Sequence, residues 1–208
     1  MKTLLLIHSS SRSHHSVTRK LTTRFARQWS AANSGGKIIE RDIGLRPPPS
    51  VDEAWITAAF DPNGFGAPAL AASDELIAEL VTADVIVMGV PMYNFGMPAQ
   101  MKAYFDQIVR VGVTFNFDPA AENPYTSLLD SKPVIAILST GDGALHMGGP
   151  LAHLNFLEPH LATILGFVGL VDFTPVRVGY DEYQDDRTKR SLAEAEKSVD
   201  LALHALMS

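Results

Sequence analysis

Apolar positions along the chain fall into two alternating rhythms. Residues Lys2 to His8 ("KTLLLIH"), Val85 to Val90 and Pro133 to Ser139 ("PVIAILS") are short, nearly unbroken apolar runs, the pattern of strands covered on both faces. Lys37 to Ile43 reads as another strand, stopped by "LRPPPS". "LVDFTPVRV" reads as the last, with Pro175 marking a bend or an edge position. Between these runs the spacing turns helical. In "SVTRKLTTRFARQW" the apolar members Val17, Leu21, Phe25 and Trp29 recur every four residues. Leu70 to Ala83 carries a stripe of Leu76, Ile77, Leu80 and Val81, and further helices are predicted over Ala99 to Val111 and His153 to Leu165. Arg187 to Met207 closes the chain with Leu192, Ala195, Val199, Leu203 and Leu206 on one face. Residues 51 to 69 read as a short helix in "VDEAWITAAF" and then a loop; "GVTFNF" is expected to pair locally, and "DPAAENPYTSLLDSK" to run over the surface.

Strands that alternate with helices, with no second set and no linker, predict one domain over residues 1–208. Its class is α/β: a doubly wound, five-stranded parallel sheet with helices on both faces. Such sheets bind ligands beyond the carboxyl ends of their strands. Three strand-ending loops therefore matter most: residues 9–18, 91–98 and 140–150.

Composition narrows the functions. Hydrophobic residues at 46% and charged residues at 19% are an ordinary globular balance, which argues against disorder. A net charge of −6 gives no basic footprint for nucleic acid. The chain has no cysteine, which removes disulfides, thiolate metal sites and cysteine nucleophiles together. No apolar run reaches membrane-spanning length, and the N-terminal one is too short for a signal-peptide core, so a cytoplasmic protein away from membranes is expected.

The first loop, "HSSSRSHHSVT", is crowded with hydroxyls and opens a helix. Free amides at a helix N-terminus stabilise a phosphate without any lysine. Ser10, Ser16 and Thr18 offer hydrogen bonds and Arg12 offers charge. Neither G-x-x-x-x-G-K-[ST] nor G-x-G-x-x-G occurs, so the pattern suits a phosphate monoester that is held rather than transferred. A plain capping and solubility loop is the competing reading.

The second loop, "PMYNFGMP", sets Tyr93 and Phe95 around Asn94. A flat ring there would meet apolar walls and amides, the usual make-up of a small-molecule pocket. In the third, "TGDGALHMGGP", Gly141, Gly143, Gly148 and Gly149 leave backbone N–H groups for ring oxygens and nitrogens. Either loop alone reads equally well as packing and turn chemistry. Together, the three favour a cofactor with a phosphate at one end and a flat polar ring at the other, the shape of flavin mononucleotide (FMN).

The blocks "LIHSSSRSHHSVTRKL", "SDELIAELVTADVIVMGVPMYNFGMPAQMKAYFDQIVRVGVTF" and "AILSTGDGALHMGGP" resemble the bacterial FMN-dependent NADH-azoreductases and quinone reductases, flavodoxin-like homodimers. The likeness spans nearly the whole chain, and "PMYNF…KAYFD" is its most specific part. The resemblance implies FMN-phosphate contacts at Ser10, Ser16, Val17 and Thr18. It implies ring contacts at Met92, Tyr93, Asn94 and Phe95, and at Ser139, Thr140, Gly141 and the neighbouring Asp142 and Gly143. Here "STGDG" sets Asp142 between glycines where the family shows a tighter Ser-x-Gly-Gly, and Pro98 stands where other members are more polar.

The same resemblance implies a ping-pong cycle, in which NADH gives a hydride to the flavin and leaves before a quinone or azo compound takes its place. The flavin carries that chemistry, so no indispensable acid–base side chain is expected. His146 is the one candidate for protonating or orienting the acceptor, against a simple reading as a solvated loop histidine. The other histidines show no metal-ligand grouping, and no metal is expected. A flavodoxin-type electron carrier serving a protein partner is the main alternative. A hydrolase reading fails for want of G-x-S-x-G.

Overall fold

The computed structural model describes residues 1–208 apart from Pro62, Phe65 and Ser208, so two positions of the loop expected over 61–69 lie outside the described residues. In chain order the elements are β1 (Thr3–His8), α1 (Val17–Ala32), β2 (Lys37–Asp42), α2 (Glu53–Phe60), α3 (Ala71–Thr82), β3 (Val85–Pro91), α4 (Ala99–Ile108), β4 (Phe115–Phe117), β5 (Tyr125–Ser127), β6 (Val134–Ser139), α5 (Leu157–Val168), β7 (Phe173–Val178) and α6 (Asp186–Met207). Five strands form one parallel sheet in the order β2-β1-β3-β6-β7. The order reverses beside β1, so the loops after β1, β3 and β6 meet at one edge, the crevice where such sheets take ligands.

The unbroken apolar runs are explained by burial on both faces. Successive residues of a strand point to opposite sides. Leu5, Ile7, Ile86, Met88, Ala136 and Leu138 pack with Leu76, Leu80, Met101, Phe105 and Leu161 of α3, α4 and α5. Leu4, Leu6, Val87, Ile135 and Ile137 pack with Leu21, Phe25, Trp29, Ala195 and Val199 of α1 and α6. Gly89 lets α1 settle onto β3, since a β-carbon there would lie 3.0 Å from Thr22 Cγ2 and 3.2 Å from Thr18 Cβ. β7 is an edge strand, as Pro175 suggested.

Several local expectations are corrected. Val81 is exposed, because α3 is buried through the narrower arc of Ser73, Leu76, Ile77 and Leu80. α4 stops at Ile108 rather than Val111: the Thr114 hydroxyl donates to the Ile108 carbonyl at 2.7 Å and accepts from the Arg110 amide at 2.9 Å, ending the helix. α5 starts at Leu157 rather than His153, because Asn155 Oδ1 accepts from the amides of Leu157 and Glu158, each at 3.1 Å. "GVTFNF" does pair locally, and its partner is β5, inside the stretch read as surface excursion.

Candidate functional site

At the carboxyl edge of β1, β3 and β6 lies a cavity of about 350 Å³, within the size range of small-molecule pockets. Its wall takes in Ser10, Ser16 and Val17 from the first loop, Met92 and Tyr93 from the second, and Ser139, Thr140 and Gly141 from the third. Sequence order explains none of this proximity. Parallel pairing does, since it sets His8 beside Gly89 and Pro91 beside Ser139.

The first loop ends at Ser16, whose extended backbone and side-chain bond to the Arg19 amide at 3.3 Å cap α1. The helix then presents the amides of its first turn, which have no carbonyl one turn back. α1 has no acidic residue in that turn, so nothing competes there with an incoming anion. Ser16 Oγ and Thr18 Oγ1 lie 3.2 Å apart. Thr18 itself is buried behind Ser16 and is not part of the cavity wall.

The second loop is held in an uncommon shape. The Tyr93 amide donates to the Gly96 carbonyl at 2.9 Å and the Gly96 amide returns to Tyr93 at 3.1 Å. Asn94 and Phe95 between them both have positive φ, 47° and 70°. Two successive left-handed residues inside a mutually bonded pair make a type I′ turn. Asn tolerates that conformation; Phe does so at a cost, a form of strain that collects at functional sites. The turn keeps Tyr93 at the cavity and sends Asn94 and Phe95 outward, away from the wall. The Tyr93 hydroxyl accepts from the Ser11 amide at 3.3 Å, which stitches the second loop to the first.

In the third loop Asp142 has a structural occupation. Its Oδ1 caps a single 3₁₀ turn by accepting from the Ala144 amide at 2.9 Å, and its Oδ2 accepts from the Tyr183 hydroxyl at 2.6 Å. Those two bonds hold its carboxyl below the usual range. Asp142 and Gly143 therefore stand behind the wall rather than in it. His146 also stands outside it. Its Cε1 packs toward Gly179, its Nε2 is buried with no partner among the described residues, and burial lowers its pKa, so the ring is neutral at neutral pH.

Sequence reasoning missed the fourth wall entirely. Asp181, Glu182 and Gln184, from the loop after β7, face the cavity together with Arg12. A β-carbon on Gly141 would lie 2.5 Å from the Glu182 carboxyl, the free end of an exposed side chain that would have to swing aside. Arg12 Nη1 stands 4.0 Å from Asp181 Oδ2, and burial raises the Asp181 pKa despite that neighbour. Tyr180 and Gln184 both have positive φ, 64° and 53°. No sequence expectation attached to "YDEYQDDR", and only the position of β7 beside β6 brings it here.

The residues present suit a flavin nucleotide. Hydroxyls, helix-terminal amides and Arg12 can hold a phosphate; carboxylates cannot, but they accept well from ligand hydroxyls or an imide N–H. Met92, Tyr93 and the flat backbone of residues 139–141 provide a face for a ring. Among the described residues no group of three histidine, aspartate or glutamate side chains could hold a metal, and no helix is long and apolar enough to cross a membrane.

Comparison with known proteins agrees. A family model described as "Flavodoxin-like fold" matches residues 1–201. An FMN-dependent NADH:quinone oxidoreductase of Opitutus terrae is 48% identical over 99% of both chains. A protein of Trichormus variabilis, named FMN-dependent NADH:quinone oxidoreductase 2, is 41% identical over 96% of this chain and 97% of its own. Among solved structures, an FMN-dependent NADH-azoreductase from Bacillus anthracis in complex with FMN superposes with a TM-score of 0.84, covering all of both chains at 20% identity, which supports the fold. The chain belongs to the flavodoxin-like family that includes these quinone oxidoreductases.

Proposed function

We propose that the protein is an FMN-dependent oxidoreductase that takes electrons from NADH and passes them to quinones, with azo aromatics as further acceptors. One observation carries this reading: a single cavity joins the hydroxyl-rich start of α1 to the Met92–Tyr93 face and the Ser139–Gly141 backbone. The curated relatives and the structural neighbours are named for these activities.

Ser10, Ser16 and Val17, with Arg12 beside them, would hold the FMN phosphate, while Met92, Tyr93, Ser139, Thr140 and Gly141 would hold its ring. When bound, FMN supplies the group that takes a hydride from NADH and delivers two electrons to the acceptor. Tyr93 and Met92 would align the planar reactants by presenting a flat wall, and one slot serving donor and acceptor in turn makes the kinetics ping-pong. Asp181 and Glu182 accept hydrogen bonds from ligand hydroxyls and set a negative rim, which Arg12 partly neutralises. His146 is assigned no proton transfer in this reading. Neutral, half-buried and packed toward Gly179, it anchors the glycine loop, and protons come from water.

Phe95 and Phe156, joined by a bond from the Phe156 amide to the Phe95 carbonyl, are 48% and 61% exposed beside the site. A second copy of the chain covering them would make a homodimer and enclose the acceptor slot; the protein would work in the cytoplasm as one domain per subunit. In sedimentation, Phe156→Glu should then shift the protein toward monomer.

The test of the function is anaerobic. Purified protein carrying FMN should bleach on addition of NADH and recover on addition of a quinone, with parallel double-reciprocal plots in the steady state. Bound flavin that NADH leaves oxidised would sink the proposal in favour of an electron carrier for a protein partner.

A further inference from the structure

The phosphate end of the cavity has a buried brace behind it. Arg19 sits in the first turn of α1, where a cation is disfavoured by the helix dipole and would normally turn to solvent. Its side chain is instead only 17% exposed and makes four hydrogen bonds. Nη1 donates to Asp42 Oδ2 at 2.7 Å and Nη2 to Asp42 Oδ1 at 3.1 Å, a fork-on-fork pair with the last residue of β2. The same guanidinium reaches across to the first loop. Nη2 donates to the Ser10 carbonyl at 3.0 Å and Nε to the Arg12 carbonyl at 3.3 Å.

Those two carbonyls belong to the loop that lines the cavity. A carbonyl facing a phosphate repels it, while an amide attracts it, so the direction in which residues 10–12 turn their peptide groups decides whether this loop is a cradle. Arg19 occupies the Ser10 and Arg12 carbonyls, while the Ser11 amide donates to the Tyr93 hydroxyl and the Arg12 amide to Ser10 Oγ. Asp42 in turn holds Arg19. Burial works against the charged form of Asp42, but the bonds from Arg19 and from the Leu45 amide more than offset it, so the carboxylate stays ionised. The arginine charge is thus matched by Asp42, and Arg19 borders the groove that adjoins the 350 Å³ cavity, not the cavity itself.

We infer that Arg19, clamped by Asp42, is a positioning residue for phosphate recognition: it ties up the Ser10 and Arg12 carbonyls, which would repel the phosphate of the cofactor, and so fixes the loop that carries Ser10 without contacting that phosphate. This rests on the placement of the FMN phosphate proposed above. It makes phosphate discrimination, FMN against riboflavin, depend on a pair of side chains outside the cavity wall. Lysine could replace the charge of Arg19 but not its planar four-bond fork.

The experiment is fluorescence titration of the apo protein with FMN and with riboflavin, for wild type, Arg19→Lys, Arg19→Gln and Asp42→Asn, with thermal melting of each apo form. Wild type should bind FMN much more tightly than riboflavin. Arg19→Lys and Asp42→Asn should each weaken FMN by roughly tenfold, the scale of a single charge-assisted hydrogen bond, and leave riboflavin within about twofold. Full FMN affinity in Arg19→Lys, or tighter FMN binding in Asp42→Asn, would show that Arg19 acts by charge on the phosphate and would overturn the inference. Equal losses for both ligands, tracking a lower melting temperature, would overturn it as well by making the brace merely structural. Equal binding of FMN and riboflavin by wild type would instead remove the phosphate placement itself.

Discussion

The loops after β1 and after β7 wall the same cavity but are held by opposite means. The first is braced from inside the protein: Arg19 grips two of its carbonyls, and Gln100 Nε2 donates to the Ser9 carbonyl at 2.9 Å and to Ser11 Oγ at 2.7 Å. The second is held from the surface. The Tyr183 hydroxyl bonds Asp142, and the Arg187 guanidinium stacks 3.8 Å from the Tyr183 ring centre, with Tyr183 39% and Arg187 45% exposed. A backbone bond from the Asp181 amide to the Thr140 carbonyl at 3.3 Å ties the loop inward. Solvent-exposed ion and ring contacts contribute little to stability. The donor-bearing loop is therefore pre-formed, and the acceptor-bearing loop can yield. Binding strength should reside in the first and the rate of ligand passage in the second.

The largest effect is expected where the two loops touch. Gly141→Val adds a branched side chain to the cavity wall and pushes the Glu182 carboxyl out of place, and the protein should purify largely without flavin. Full flavin occupancy by absorbance would show that Gly141 does not wall the flavin site. Next comes Ser16→Ala, which removes both the cap of α1 and a hydroxyl from the wall. FMN affinity should fall about tenfold or more, and stability by about 1 kcal/mol, read by titration and by denaturant unfolding. Tyr183→Phe should be smaller: FMN affinity within about threefold, the change lying in a faster dissociation rate measured by stopped flow. A loss as large as that of Ser16→Ala would erase the distinction between the two loops.

The smallest effect is on pH. Burial lowers the pKa of both His8 and His146, so the unfolded chain binds protons that the folded one refuses. Their contribution is fully present above the unfolded value of about 6.5 and is lost as pH falls toward the folded values. The melting temperature should hold near pH 7–8 and decline toward pH 5, less steeply in His146→Asn. An unchanged slope in that variant would mean that His146 titrates normally, reopening a proton-transfer role for it.

Much of this was legible in the chain, for physical reasons. Strands buried on both faces have to be apolar throughout, so "TLLLIH" and "VIAILS" are readable without a structure. Ser10 and Ser16, singled out for their hydroxyls before the first helix, both line the cavity, since parallel pairing carries that loop to the site. Arg19 was not, since its meaning lies in Asp42, which arrives from the end of β2, 23 residues later. Asp181 and Glu182 were invisible because β7 brings them to the site through strand order, and acidic residues near the chain surface carry no signal of their own. The type I′ turn at Asn94–Phe95 was hidden too, because a phenylalanine at positive φ runs against local preference and is imposed by the surrounding bonds.

The most direct measurement is a crystal structure of the FMN complex. The account predicts the phosphate against Ser10, Ser16 and the first amides of α1, with the ring between Met92–Tyr93 and Ser139–Gly141. Flavin density elsewhere, such as in the open groove between α1 and α6, or a phosphate turned away from Ser16, would contradict it.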